Sequence, residues 1–118
     1  MSADLATRRP VWLALSTMFL NADVALTRDA RVQVLAASGL AVSALEHILI
    51  HEVYPACWAK LSDPAGEAQG FDPAWLEARI FARGTLTANW DALEELAQIA
   101  VPHSDEWQAT KAALETRR

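Results

Sequence analysis

The clearest hydrophobic pattern in the chain lies between residues 86 and 100. Apolar residues recur there at steps of four, three, four and three, and polar residues occupy most of the positions between them. This spacing is typical of an amphipathic helix that buries one side in a core. We predict that the helix ends at Pro102, because proline cannot continue the hydrogen bonding of a helix. Its predicted buried seam is Leu86, Trp90, Leu93, Ala97 and Ala100.

Periodic apolar residues with start and stop signals predict further helices on both sides of this one. Pro10 suits the first position of the first helix, since its missing N–H would be unpaired there. Thr27 is the predicted N-cap of the second helix, and Gly39 is its predicted end. These helices are predicted at about residues 10–20, 28–39, 43–61 and 73–84, with a short last helix after residue 104.

The third helix has the most detailed start signal. Ser43 and Glu46 fit the S-x-x-E capping box, in which the two side chains satisfy unpaired backbone N–H groups. Pro55 is expected to kink or restart this helix. Residues 62–70, with a proline and two glycines, are predicted to form a loop before the fourth helix. The remaining predicted start and stop signals are Asp72, Pro73, Gly84 and Ser104.

The chain lacks the patterns of β-structure. No segment alternates apolar and polar residues convincingly over five positions, and the Asn-Gly and Asp-Gly signals of hairpins are missing from the sequence. We therefore predict an all-α fold, a single compact bundle of five to six helices. One domain is expected to span residues 1–118, with flexible segments at 1–8 and 115–118. The five tryptophans are spread one to a helix, as core anchors would be, and the predicted core includes Trp12, Leu15, Ile48, Leu49, Ile80, Trp90 and Leu93.

The net charge of −5 is concentrated in the second half of the chain. Residues 1–60 carry five acids and five bases, whereas residues 62–107 carry nine acids and two bases. An acidic surface repels phosphate groups, so we expect no binding to nucleic acid or to anionic membranes. It attracts a basic protein surface, although solubility alone also explains such charge. The predicted partner-binding residues are Glu67, Phe71, Asp72, Trp75, Asp91, Glu94 and Glu95.

The stretch HILIHEVYPACW, residues 47–58, contains the best candidate for a metal site. His47 and His51 are four residues apart, so both rings can point to one side of a helix. This spacing alone is a weak pattern, and Glu52 lies off the side that the two rings share. Cys57 is expected to be a small buried hydrophobe. We therefore predict a structural histidine pair, with no catalytic residue, no metal and no cofactor.

The N-terminal region superficially resembles a secretory signal, because Arg8 and Arg9 precede an apolar run. That run has the one-sided stripe of an amphipathic helix and is shorter than the ~20 apolar residues of a membrane span. The single cysteine is typical of a reducing compartment. We expect a soluble cytoplasmic protein.

Several motifs resemble those of a known family. They are P-V-W near the start, E-V-Y-P at residues 52–55, A-G-E at 65–67 and G-F-D-x-x-W-L-E at 70–77. Over about residues 8–82 the chain resembles a family of small bacterial proteins described only as a domain of unknown function. The resemblance implies a small helical bacterial protein, and it implies no catalytic residues.

Two hypotheses of function follow. The first is a non-enzymatic acidic interaction module, in particular an immunity or antitoxin-like protein that neutralises a basic bacterial effector. The second is a small helical metal-binding protein or metalloenzyme centred on His47 and His51, with Cys57 as a further ligand. The metal content of the purified protein distinguishes them.

Overall fold

Helices make up all the regular structure in the computed structural model, which describes residues 5–19, 24–61, 72–82 and 90–117. The predicted all-α fold is confirmed. If the continuous helix over 42–61 is counted as one, these ranges contain six α-helices, within the predicted five to six. The segments are α1 (Leu5–Ser16), α2 (Arg28–Ala37), α3 (Val42–Ile48), α4 (Tyr54–Leu61), α5 (Pro73–Phe81), α6 (Trp90–Ala100) and α7 (Asp105–Arg117).

Shorter helical turns join these segments. Two 3₁₀ turns, Thr17–Phe19 and Val24–Thr27, follow α1 and precede α2, and a third, Val101–His103, joins α6 to α7. A π-helical turn, Leu49–Val53, connects α3 to α4 without a break. The predicted loop at 62–70, the predicted end at Gly84 and the predicted start near Leu86 lie outside the described residues.

The helices pack around one apolar core. Helix α1 contacts α2, α5 and the π turn, α2 contacts α7, and α4 contacts α6. The radius of gyration, 13.3 Å, is close to the ~13.5 Å expected for a compact chain of this length. Leu93, which was predicted to be in the core, is only partly buried. The other six residues of the predicted core are buried: Trp12, Leu15, Ile48, Leu49, Ile80 and Trp90.

Helix α1 starts earlier than predicted. It is already formed at Leu5, so Pro10 lies inside the helix and not at its first position. Pro10 has no N–H to give to the carbonyl of Ala6, four residues earlier. Both residues are exposed, so water can hydrate that carbonyl. Residues 5–8, expected to be flexible, form the first turn of α1, and residues 115–117 likewise belong to α7, which is longer than predicted.

The predicted start signals of α2 and α3 do not act as caps. Helix α3 begins at Val42, so Ser43 lies inside it and no side chain caps its start. The carboxylate of Glu46 instead accepts a hydrogen bond from the indole N–H of Trp107, at 3.2 Å. Thr27 does precede α2, but its hydroxyl accepts from Arg31 at 2.7 Å. In both places a side-chain N–H has replaced the backbone N–H: the indole of Trp107 from a distant helix, and the guanidinium of Arg31 from the next turn of α2.

Three other signals work as predicted. The Asp72 carboxylate accepts from the backbone N–H of Trp75 at 2.9 Å, and Ser104 accepts from the N–H of Trp107 at 3.2 Å. Gly39 follows the end of α2 with φ +74°, a backbone conformation that residues with a side chain rarely adopt. These interactions span three or four residues, so the sequence identifies them.

Pro55 does not end its helix, because the π turn accommodates it. In that turn the N–H of Tyr54 donates to the carbonyl of Leu49, five residues earlier. A proline ring in a regular α-helix would clash with the carbonyl four residues before it, which here belongs to His51. The wider turn gives this carbonyl more room, so α4 follows the π turn without a break.

No single helix in the described ranges is long and apolar enough to cross a membrane. The pair Arg28–Ala37 and Val42–Trp58, bent by 113° at its break, meets the same test of length and composition only when the two are taken together.

Candidate functional site

Helix α6 carries three of the residues predicted to bind a partner. Asp91 and Glu95 are exposed one turn apart on its outer side, while Trp90 and Ala97 are buried against the core. Glu94 lies between the two sides and is partly buried. In the described part of the chain, no Lys, Arg or His pairs with Asp91 or Glu95. The acidic edge on α6 therefore consists of two unpaired carboxylates.

The outer side of α6 also exposes apolar side chains that the sequence prediction missed. Leu96 is 39% exposed and Ile99 is 67% exposed. With Ala92 they stand at i, i+4 and i+7, so the three lie along one line of the helix beside Asp91 and Glu95. The sequence does contain a signal for this exposed apolar surface, because all three apolar residues fall outside the predicted buried seam. We refer to Asp91, Ala92, Glu95, Leu96 and Ile99 as the α6 face.

The start of α5 carries two more predicted residues. Asp72 is exposed and uses its carboxylate to cap the helix. Trp75 is partly buried, with the Arg79 guanidinium 5.5 Å from the centre of its ring. The main packing partners of α5 are α1, α4 and the π turn, and α6 is not one of them. Glu67 and Phe71 lie outside the described residues.

The third acid of α6 is held by one of the two histidines. Nδ1 of His51 is 2.6 Å from Oε2 of Glu94, and both side chains are about one quarter exposed. The ring of His47 lies beside that of His51, with 4.4 Å between ring centres. Glu94 was predicted to be a free acid at a binding surface, but the fold uses it to tie α6 to the π turn.

The described residues give little support to a metal site. They contain no group of three or more His, Cys, Asp or Glu side chains that could hold a metal ion. Cys57, the proposed further ligand, is completely buried, and this burial strongly raises the pKa of its thiol. A thiol held in this protonated form is a poor metal ligand and a poor nucleophile. The absence of bound metal from the purified protein stays a prediction.

Glu52, the acid that follows His51, is buried. It is 3% exposed, and its carboxylate accepts from Nη2 of Arg8 at 2.6 Å and from Nε1 of Trp12 at 2.7 Å. A buried carboxylate needs such partners, because an unpaired buried charge is very costly. Glu52 belongs to the π turn, whose extra width changes the direction of its side chains from that of a regular helix.

A second buried ionic group joins α2 to α7. The Arg31 side chain has no exposed surface, and its Nη1 donates to Oε2 of Glu106 at 2.8 Å. Arg28 binds both oxygens of the same carboxylate, each at 2.8 Å. The remaining donors of Arg31 bind hydroxyl groups, so the buried guanidinium is well satisfied. These hydroxyls belong to Thr17, Thr27 and Thr110.

Glu106 should make the stability of the protein depend on pH. Its hydrogen bond from Arg28 lowers its pKa below the ordinary value of 4.5, an effect that burial opposes and Arg31 reinforces. A lowered pKa in the folded state contributes stability above the pKa of the unfolded state, and this contribution is lost as pH falls through the folded-state pKa. The free energy of unfolding of the wild type should therefore exceed that of Glu106→Gln at pH 7, by a margin that shrinks below pH 4.5. Urea unfolding at pH 7, 4.5 and 3 measures the margin, and a constant margin would contradict the prediction.

These pairs reduce the free charge of the acidic half. Arg9 binds Glu77 at 2.8 Å, His51 holds Glu94, and two arginines hold Glu106. The basic residues of the first half thus neutralise part of the second half across the bundle. Between residues 90 and 107, the exposed acids are Asp91, Glu95 and Asp105.

Residues 6–112 match the model of one protein family, the Domain of unknown function (DUF7079). The chain belongs to this family. No curated protein and no solved structure matches it.

The matched region of the DUF7079 domain contains the complete site. It begins within α1 before Arg8 and ends within α7 after Thr110, so it includes the α6 face, the histidine pair and both buried ionic groups. Family membership agrees with the resemblance seen in the sequence. The family description specifies no reaction, so the function has to be argued from the residues.

Proposed function

We propose that the protein is a non-enzymatic interaction module that binds a protein partner with a basic surface through the α6 face. The observation that carries the proposal is the exposure of Leu96 and Ile99 directly beside the exposed carboxylates of Asp91 and Glu95. Apolar side chains bordered by like charges are typical of a binding surface, because the apolar groups supply affinity and the charges select the partner.

The charge around the α6 face supports a basic partner. From Trp90 to Trp107 the chain has five acids and no Lys or Arg. Three of these acids are exposed: Asp91, Glu95 and Asp105. Complementary charge speeds the diffusional encounter and disfavours acidic partners. The α6 face should therefore bind a protein partner with a basic surface.

Ile99 is the best candidate for the apolar anchor. It is two-thirds exposed, and its neighbour Leu96 widens the apolar surface along the helix. Phe71 and Trp75 are the two apolar residues among those predicted from the sequence to bind a partner. Trp75 already packs under Arg79 and is partly buried, so its burial by a partner would gain less than the burial of Ile99.

The specific form of the proposal is an immunity or antitoxin-like bacterial protein. Such a protein covers the basic, nucleic-acid-binding or nucleotide-binding surface of an effector. Acidic charge beside an apolar anchor suits this task. The partner should then lose its activity when bound, and should regain it when the α6 face is altered.

Charge reversal and anchor removal should have separable effects on the binding kinetics. A partner is first captured from the native cell, and its association is measured at low and high salt. The double variant Asp91→Lys with Glu95→Lys should associate more slowly, with a weaker salt dependence, because it removes the steering charge. Ile99→Ser should release the partner faster with little change in the association rate, by about tenfold if it costs ~1.4 kcal/mol.

Matched controls lie elsewhere on the surface. Glu115→Lys reverses an exposed acid on α7, and Leu26→Ser removes an exposed leucine in the turn before α2. Both controls should bind as the wild type does. If the association rate does not depend on salt concentration and the α6 variants bind as the controls do, the α6 face is only a solubilising surface and the proposal fails.

A further inference from the structure

A small cavity lies where the end of α1, the π turn and the junction of α6 with α7 meet. Its volume is about 120 Å³. Aromatic rings form much of its wall, and the side chains that line it carry no charged group. The lining includes Met18, Phe19, Leu49, Tyr54, Ser104 and Trp107. We call this space the Tyr54 cavity.

Tyr54 gives the cavity a polar group that the fold leaves unused. The residue is 8% exposed, and its hydroxyl has no hydrogen-bond partner in the described part of the chain. The phenol ring is fixed in place, since Phe19 meets its edge at 5.5 Å and Trp58 stacks on it at 5.7 Å. The hydroxyl oxygen itself is accessible, so water or a ligand can reach it. A fixed, unpartnered hydroxyl at a cavity is therefore a preformed anchor for a ligand.

Ser104 supplies a second hydroxyl at the cavity wall. Its oxygen accepts from the N–H of Trp107, and its own proton is still available to donate. A ligand that can both donate and accept a hydrogen bond would therefore suit the wall better than a pure hydrocarbon.

The size and lining define the class of ligand. An apolar cavity of about 150 Å³ in another protein is known to hold benzene, so a space of this order takes a single small ring. Aromatic walls favour a planar ring, and the uncharged lining disfavours an ion. We propose that the Tyr54 cavity binds a small uncharged aromatic compound that bears one hydroxyl group. Phenol is the simplest probe, and the proposal is independent of the α6 face.

Phenol and benzene, used as a pair of probes, test this directly. Calorimetry should show that the wild type binds phenol about fivefold more tightly than benzene, which corresponds to one net hydrogen bond. In Tyr54→Phe most of the preference for phenol should be lost, because only the Ser104 hydroxyl then remains to pair with the ligand. In Ala100→Leu, where a larger side chain fills the wall of the cavity, both should bind much more weakly.

Each result supports or contradicts the proposed ligand site. If neither probe binds the folded wild type at millimolar concentration, the cavity is a water-filled packing defect, large enough for about four waters. If Tyr54→Phe keeps the preference for phenol, the hydroxyl is not the anchor. If Ala100→Leu does not fold, Val101→Ile makes a smaller addition to the same wall and takes its place. This variant should also bind both probes more weakly than the wild type does.

Discussion

Replacing Trp90 with alanine should lower the free energy of unfolding by about 3–5 kcal/mol. Trp90 is 3% exposed and begins α6, so its removal leaves a large cavity where this helix meets the core. Stabilities of single domains are roughly 5–15 kcal/mol, so the variant should be close to unfolding at 37 °C. Urea titration followed by circular dichroism measures the change. The matched control is Trp58→Ala, because Trp58 is 39% exposed and should cost far less.

The indole N–H groups of two tryptophans refine this prediction. Nε1 of Trp90 is buried with no hydrogen-bond partner among the described residues, whereas Nε1 of Trp107 donates to Glu46. Trp90→Phe removes an unsatisfied donor, so it should cost less than Trp107→Phe, which leaves Glu46 without its partner. The opposite order would show that ring size and not hydrogen bonding governs both sites.

Replacing Glu106 with glutamine should lower the free energy of unfolding by about 3–5 kcal/mol, the usual cost of breaking a buried ion pair. The variant leaves the Arg31 guanidinium, which has no exposed surface, without its compensating charge. It also weakens the bidentate contact of Arg28. Glutamine has nearly the size of glutamate, so the effect reports charge and not packing. Urea titration at pH 7 measures it.

Two further variants separate burial from simple charge loss. Glu77→Gln makes the same chemical change in the exposed pair with Arg9, and it should have a far smaller effect because solvent screens that pair. The double variant Arg31→Met with Glu106→Gln removes both buried charges and should recover part of the lost stability. A double variant less stable than Glu106→Gln alone would show that the arginine stabilises α2 and α7 through its hydroxyl contacts.

The candidate site was only partly predictable from the sequence. Asp91 and Glu95 were correctly placed on the exposed side of a helix, because the apolar seam of α6 is periodic. Leu96 and Ile99 were missed because the prediction rested on the periodic apolar seam, and these two residues lie outside it. The unused hydroxyl of Tyr54 has no sequence signal, since a partner for a tyrosine hydroxyl can come from anywhere in the chain.

The sequence by itself determined the features that depend on near neighbours. The all-α class, the amphipathic α6, the caps at Asp72 and Ser104 and the left-handed Gly39 all arise within about four residues, where periodicity and side-chain type decide the backbone. The tertiary structure alone decided which acid meets which partner. His51 and Glu94 are 43 residues apart, Trp107 and Glu46 are 61 apart, and Arg31 and Glu106 are 75 apart. A carboxylate on a helix has the same local pattern whether it faces water or a distant arginine, so its role is fixed only when packing brings the two elements together.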